Sequence, residues 1–249
     1  MDGKVAIVTG AGAGIGRATA RIFAREGATV VVSDIAQEAG NETVGIIKQA
    51  GGEAMFVKSD VSKPDEVQRM VANTVEAYGR LDYAANNAGL TSEASPITES
   101  SEEMWNRIIA VNLTGVWLCM KYEITQMLKQ DGGAIVNTAS MAGIVGFPGS
   151  AGYVASKHGV IGLTKTAALD YAKNNVRVNA VCPGVIVTSM VEPLLESMPE
   201  VIESLNAVAP MGRMGQPDEI GEAIVWLCSD AASFVTGHAL SIDGGYVVQ

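Results

Sequence analysis

The stretch Val5-Ala6-Ile7-Val8-Thr9-Gly10-Ala11-Gly12-Ala13-Gly14-Ile15-Gly16 decides the fold. Its opening run is apolar almost throughout, the pattern of a strand covered on both faces in a parallel sheet with helices above and below. Glycines follow, and then Ile15 to Arg25 places Ile15, Ala18, Ile22 and Phe23 on one face of a helix. A glycine turn between a strand end and a helix start lets backbone N–H groups approach a phosphate, and the helix N-terminus adds partial positive charge. The turn fits a dinucleotide pyrophosphate, with Gly10, Gly12, Gly14, Ile15 and Gly16 as its contacts.

Outward from this unit, apolar runs recur at Thr29 to Ser33, Ala54 to Val57, Leu81 to Ala85, Ala134 to Thr138, Val176 to Val181 and Ala239 to Ile242. Helical segments separate them, among them Pro64 to Tyr78, which opens with proline at a first-turn position. The alternation predicts an α/β fold: a doubly wound, seven-stranded parallel sheet with helices on both faces. No repeat, low-complexity segment or linker interrupts it, so residues 1–249 read as one domain. The long stretch 187–217 has weak strand signal and holds Pro193, Pro199 and Pro210; within it, residues 188–216 are expected to form a substrate-binding flap.

Composition narrows the function classes. The 249 residues are 48% hydrophobic and 18% charged, outside the regime of disordered chains. A formal net charge of −10 repels phosphate backbones and anionic headgroups, which argues against nucleic-acid and membrane partners. Cys119, Cys182 and Cys228 are odd in number and far apart, so neither disulfides nor zinc are indicated, and a cytoplasmic location is expected. His158, beside Lys157, falls on a different helical face and reads as structural, His238 has no ligand-like neighbours, and no metal site is expected from the residue pattern.

The second strand ends at Asp34-Ile35, with Asp34 18 residues past Gly16, near the roughly 20 at which an acid meets the adenosine ribose. A carboxylate there accepts from the 2′-hydroxyl and repels a 2′-phosphate. No Lys or Arg occurs from Asp34 to Ile47, and Arg17 reads as a solvated helix residue, so NAD(H) is expected over NADP(H). Tyr153 and Lys157 stand at i and i+4 of a helical segment from Ala151 to Lys173, which sends both side chains from one face. Ser140 lies 13 residues before Tyr153, at the edge of a strand where ligands bind in α/β sheets.

Together, Thr9-Gly10-x-x-x-Gly14-Ile15-Gly16, Asn86-Asn87-Ala88-Gly89, Asn112, Ser140, Tyr153-x-x-x-Lys157 and Pro183-Gly184 resemble the short-chain dehydrogenase/reductase family, in order and over nearly the whole chain. The resemblance implies a Rossmann fold and hydride transfer between a CH–OH carbon and nicotinamide, with Tyr153 as acid/base. Lys157 would favour the phenolate and bind the nicotinamide ribose, Ser140 would hold the substrate oxygen, and Asn112 would anchor a water in a proton relay. The same resemblance assigns Asp60 and Val61 to the adenine, and Asn87, Ala88 and Gly89 to the ribose and central sheet. It further implies Pro183, Gly184, Ile186 and Thr188 around the carboxamide end. Ile35 joins Asp34 among the cofactor contacts. A homotetramer is the family default, with the helix-rich segment Glu102 to Lys129 at the interface, and a few relatives place magnesium at a terminal Gln, here Gln249.

For the substrate pocket, Ser92, Glu93, Ser140, Met141, Gly146, Phe147, Tyr153, Val185, Met190, Leu194, Leu195 and Met198 form a largely apolar set. Thr188 to Gly212 contains no Lys or Arg, whereas phosphate, coenzyme A or carboxylate substrates are usually met by a cation. A neutral secondary alcohol and its ketone fit best. The alternatives are a 3-oxoacyl-acyl-carrier-protein reductase, opposed by Asp34 and the net charge of −10, and a non-catalytic NAD-binding module, opposed by the intact Tyr153, Lys157, Ser140 and Asn112.

Overall fold

The strands are β1 (Val5–Thr9), β2 (Thr29–Asp34), β3 (Ala54–Lys58), β4 (Tyr83–Asn86), β5 (Gly133–Thr138), β6 (Val176–Pro183) and β7 (Ala239–Ile242) in the computed structural model of the chain, which describes residues 1–91, 94–188 and 199–249. All pair in parallel, in the order β3-β2-β1-β4-β5-β6-β7. Strand order reverses beside β1, where the crossover to β2 leaves in one direction and the later chain fills the sheet from β4 outward. A crevice opens at the carboxyl ends of the strands at such a switch point.

Helices α1 (Gly14–Arg25), α2 (Gln37–Gln49), α3 (Pro64–Tyr78), α4 (Glu102–Ile109), α5 (Gly115–Met127), α6 (Ala151–Tyr171), α7 (Pro199–Ala207) and α8 (Pro217–Cys228) surround the sheet. One core layer joins Ile7, Val31, Ile135 and Val178 of the sheet to Val67 and Met70 of α3, Leu118 and Met127 of α5 and Val160 of α6. The opposite layer joins Val8, Val30, Val32 and Val136 to Ile22 and Phe23 of α1, Ile47 of α2 and Ile220, Ile224 and Leu227 of α8. The central strands are therefore buried on both sides, which is why they read as unbroken apolar runs. This is a doubly wound, Rossmann-like architecture.

Helix ends follow from local chemistry. Pro64 occupies the first turn of α3, with Asp65 and Glu66 beside it against the positive end of the helix dipole. Gln216 and Glu219 form a reciprocal capping box on α8, again behind a first-turn proline, Pro217. Between α4 and α5 the chain makes a π turn at Ala110–Thr114, so the helix-rich segment Glu102 to Lys129 carries an inserted residue at Asn112's level.

Candidate active site

The cleft at the carboxyl edge of the sheet has a volume of about 730 Å³. At one end it is lined by Gly10, Gly14, Ile15, Asp34, Ile35, Asp60 and Val61, and at the other by Ser140, Tyr153, Lys157, Pro183, Gly184, Val185, Ile186 and Thr188, with Asn87, Ala88 and Gly89 between.

The glycine turn is shaped by two steric demands. Gly10 has φ +62°, and a Cβ there would lie 2.8 Å from Ala88 Cα. A Cβ on Gly16 would run into the Gly10 carbonyl. Gly12 and Gly16 are not part of the cleft wall: Gly16 lets the turn fold on itself, while a Cβ on Gly12 would crowd Asp34 and Ala39, and the Gly12 N–H donates to Asp34 Oδ2 at 2.8 Å. Helix α1 starts with no side-chain cap and no acidic residue in its first turn, so its leading N–H groups reach the cleft without a neutralising partner from the chain. That is a donor set suited to a diphosphate.

Asp34 is fixed by two backbone donors, Gly12 N to Oδ2 and Ala36 N to Oδ1 at 2.9 Å, which leaves lone pairs on both oxygens facing the cleft. Arg17, expected in solvent, instead lies behind the turn. Its guanidinium donates to the Gly12 carbonyl and pairs with Glu42 at 2.7 Å, so it is not free to meet a phosphate at Asp34. Asp60 accepts from Ser62 N and Oγ at 2.9 and 2.7 Å. Thr9 escaped the sequence reading as a working residue: its hydroxyl accepts from the N–H groups of Asn87 and Ala88 at 3.0 and 3.1 Å and so seats that loop beside the turn.

At the other end, Tyr153 and Lys157 leave one face of α6, with the ammonium 5.5 Å from the phenol ring centroid. Lys157 Nζ donates to the Thr138 carbonyl at 2.8 Å, a partner no side-chain pattern announces. Burial pulls the lysine down to about 8, with Cys182 acting the other way. Burial pushes the Tyr153 phenol up, and its hydrogen bond with Ser140 opposes this. The Ser140 hydroxyl oxygen accepts from Ala142 N at 3.1 Å, capping the short 3₁₀ turn Met141–Gly143 and fixing its rotamer.

Not every candidate reaches the cleft. Asn112 is fully buried behind Leu90: Oδ1 accepts from Leu90 N at 2.9 Å, while Nδ2 donates to Leu90 O at 2.8 Å. Met141 is buried next to Ser140 but is not part of the cleft wall, nor is Phe147, which stacks on Tyr246 with ring centroids 5.7 Å apart. Ser92, Glu93, Met190, Leu194, Leu195 and Met198 lie outside the described residues. Gln249 donates its amide to Val208 O and Tyr246 O, and among the described residues no three His, Cys, Asp or Glu side chains converge as a metal site. No helix among the described residues is long and apolar enough to cross a membrane.

A family model of short-chain dehydrogenases, described as Enoyl-(Acyl carrier protein) reductase, matches residues 10–247. The chain is 44% identical over 247 residues to 2,5-dichloro-2,5-cyclohexadiene-1,4-diol dehydrogenase of Sphingobium indicum, covering 99% of this chain and 98% of that one. It is 45% identical over 246 residues to cyclohexanol dehydrogenase of an Acinetobacter species, covering 99% and 96%. It is also 43% identical over 248 residues to a 3-oxoacyl-acyl-carrier-protein reductase of Thermotoga maritima, covering 100% and 99%. The crystal structure of levodione reductase superposes with a TM-score of 0.96 at 34% identity, covering 100% and 99%. The chain belongs to the short-chain dehydrogenase/reductase family. It is an oxidoreductase of CH–OH groups, in a family whose dehydrogenases generally use NAD(P).

Proposed function

We propose that the protein binds NAD(H) in preference to NADP(H) and interconverts a neutral, largely apolar secondary alcohol, cyclic in its preferred form, with its ketone. The observation that carries this reading is the pairing of Asp34 at one end of a single cleft with Ser140, Tyr153 and Lys157 at the other. The names of the diol, cyclohexanol and levodione relatives support the substrate class.

Bound NAD⁺ supplies the hydride acceptor and a positive charge beside the phenol. The chain's own residues do the rest. Gly10, Gly14 and Ile15 hold the diphosphate, Asp34 accepts from the ribose hydroxyls, and Ile35, Asp60 and Val61 border the adenine. Gly12 and Gly16 act by shaping the turn. Asn87, Ala88, Gly89, Pro183, Gly184, Ile186 and Thr188 form the walls along the ribose and carboxamide. Ser140 donates to the substrate oxygen, and Tyr153 Oη takes the hydroxyl proton as the alcohol is oxidised. A free phenol near pKa 10, raised further by burial, needs a neighbouring cation to act as base at neutral pH. Lys157 supplies it, since a lysine at about 8 is still mostly protonated at pH 7. The Asn112 carboxamide is committed to Leu90, so a relay water would rest on its main-chain carbonyl.

The whole chain works as one domain, with 188–216 as its substrate-binding flap and Val185 on the cleft wall at the substrate end. The three buried free cysteines support a cytoplasmic location. Exposed Trp105, Trp117 and Leu169 on α4, α5 and α6 support a homotetramer.

The test is absorbance at 340 nm with NAD⁺ or NADP⁺ against neutral cyclic alcohols, acyclic alcohols and a 3-hydroxyacyl thioester. Turnover with NAD⁺ and cyclic alcohols is expected. Preference for NADP⁺ and the thioester would replace this reading with that of a carrier-protein reductase.

A further inference from the structure

Glu123 sits on α5 with no exposed surface, and the hydride-transfer chemistry leaves it without a role. The hydrogen bonds around it have a direction fixed from their far end. Thr164 on α6 gives its hydroxyl hydrogen to the Val160 carbonyl, which can only accept, at 2.8 Å. Thr164 Oγ1 must therefore accept from Asn137 Nδ2, 2.9 Å away. That orients the Asn137 amide so that its Oδ1 receives Asn86 Nδ2 at 3.0 Å. The same Asn86 nitrogen gives its other hydrogen to Glu123 Oε2, also at 3.0 Å.

Among the described residues, two acceptors of this network remain without a donor: Asn86 Oδ1 and Glu123 Oε1. They are the free halves of an amide and a carboxyl already joined through their other atoms. One proton on the carboxyl satisfies both, because an acid and a primary amide close a ring of two hydrogen bonds. We propose that Glu123 is held as the neutral carboxylic acid, its Oε1–H donating to Asn86 Oδ1. Glu123 is thereby a positioning residue whose proton ties α5, β4, β5 and α6 together beneath the catalytic end of the cleft. The tie bears on catalysis through two neighbours: Asn137 precedes Thr138, whose carbonyl holds Lys157, and Thr164 lies two turns beyond Lys157 on α6.

The surroundings favour the neutral form. The groups that feel the Glu123 charge are Cys119 on α5 and Cys228 on α8, both thiols held neutral by burial. The buried residues of α3 are Val67, Met70, Val71 and Thr74, and β4, β5 and α6 present Asn86, Asn137 and Thr164. No cation is among the groups acting on Glu123, and burial pushes its carboxyl up to about 7 against the Asn86 bond. The ordinary value is 4.5, so the stability this raised group contributes is complete below about 4.5 and is lost as pH rises through about 7.

Infrared spectra of the wild-type protein carrying ¹³C-labelled glutamate, with denaturant unfolding and kcat measured from pH 5 to 8.5 for wild type and Glu123→Gln, test the proposal. A protonated-carboxyl stretch is expected at pH 6, fading through pH about 7. Glutamine mimics the neutral acid, so the folding equilibrium constant of wild type relative to E123Q should fall roughly a hundredfold between pH 5 and 8. The kcat ratio of wild type to E123Q should be near one at pH 6 and severalfold lower at pH 8.5. Absence of the stretch at pH 6, which needs no variant to observe, overturns the proposal. A kcat ratio that does not change with pH overturns the positioning role.

Discussion

The two ends of the cleft are made of different material. The adenosine end is built from backbone: uncapped N–H groups of α1, a turn that needs glycine at 10 and 16, and one carboxylate held by the N–H groups of Gly12 and Ala36. The catalytic end is built from side chains, with Lys157 buried on the Thr138 carbonyl beneath the ring of Tyr153 and beside a Ser140 whose rotamer is capped in place. A site of backbone donors binds but has little to titrate, whereas buried side chains shift in pKa and can move protons. Binding and chemistry are thus assigned to opposite ends, and each substitution should reveal itself in one kinetic parameter more than the other.

The largest effect belongs to Tyr153→Phe. It removes the proton acceptor and leaves the ring's volume, so kcat should fall by about 10³-fold or more while the dissociation constant for NAD⁺, read by quenching or calorimetry, changes by less than about threefold. Retained turnover would show that the proton leaves by another route, and the division between the two ends would not hold.

Asp34→Ala comes next, and it acts from the other end. The carboxylate accepts hydrogen bonds worth roughly 1.5–3 kcal/mol in charged form, so KM for NAD⁺ should rise by about 10- to 100-fold with kcat nearly unchanged. Loss of the negative charge should also narrow the preference over NADP⁺. Equal use of both cofactors by the wild-type protein would remove the basis for this assignment.

The sheet was legible because its central strands are buried on both faces: β1 and β7 fall where the apolar runs place them, at both ends. The run Leu81 to Ala85 is offset from strand β4, because Leu81 and Asp82 precede the strand proper and its last residue, Asn86, is polar. The break between α4 and α5 was invisible, because one inserted residue in a π turn hardly disturbs a 3.6-residue pattern. In the site, i, i+4 spacing makes legible only that Tyr153 and Lys157 share a helix face; their place in the site rests also on Ser140 and the family motifs. The Thr138 carbonyl under Lys157 and the Thr9 hydroxyl under Asn87 were not legible, since a backbone acceptor has no letter and Thr9 meets its partner 78 positions away. The stack of Phe147 was hidden for the same reason: its aromatic character marks a pocket as readily as it marks a stack, and Tyr246, which it meets, lies near the far end of the chain.

The smallest effect sharpens the comparison further. Ile35 follows Asp34 and is 62% exposed, an apolar side chain on the wall of the cleft with no covering residue of its own. If the adenine lies over it, binding removes apolar surface from water at about 25 cal/mol per Å², which for some 40 Å² comes to roughly 1 kcal/mol. Ile35→Ala should therefore raise KM for NAD⁺ by about fivefold and leave kcat, pH profile and the choice between NAD⁺ and NADP⁺ unchanged. Steady-state kinetics with both cofactors separates the cases. A change in kcat would mean that the adenosine end reaches the catalytic end through the sheet, and an unchanged KM would mean that the adenine is held by Asp60 and Val61 across the cleft rather than by the residue beside Asp34.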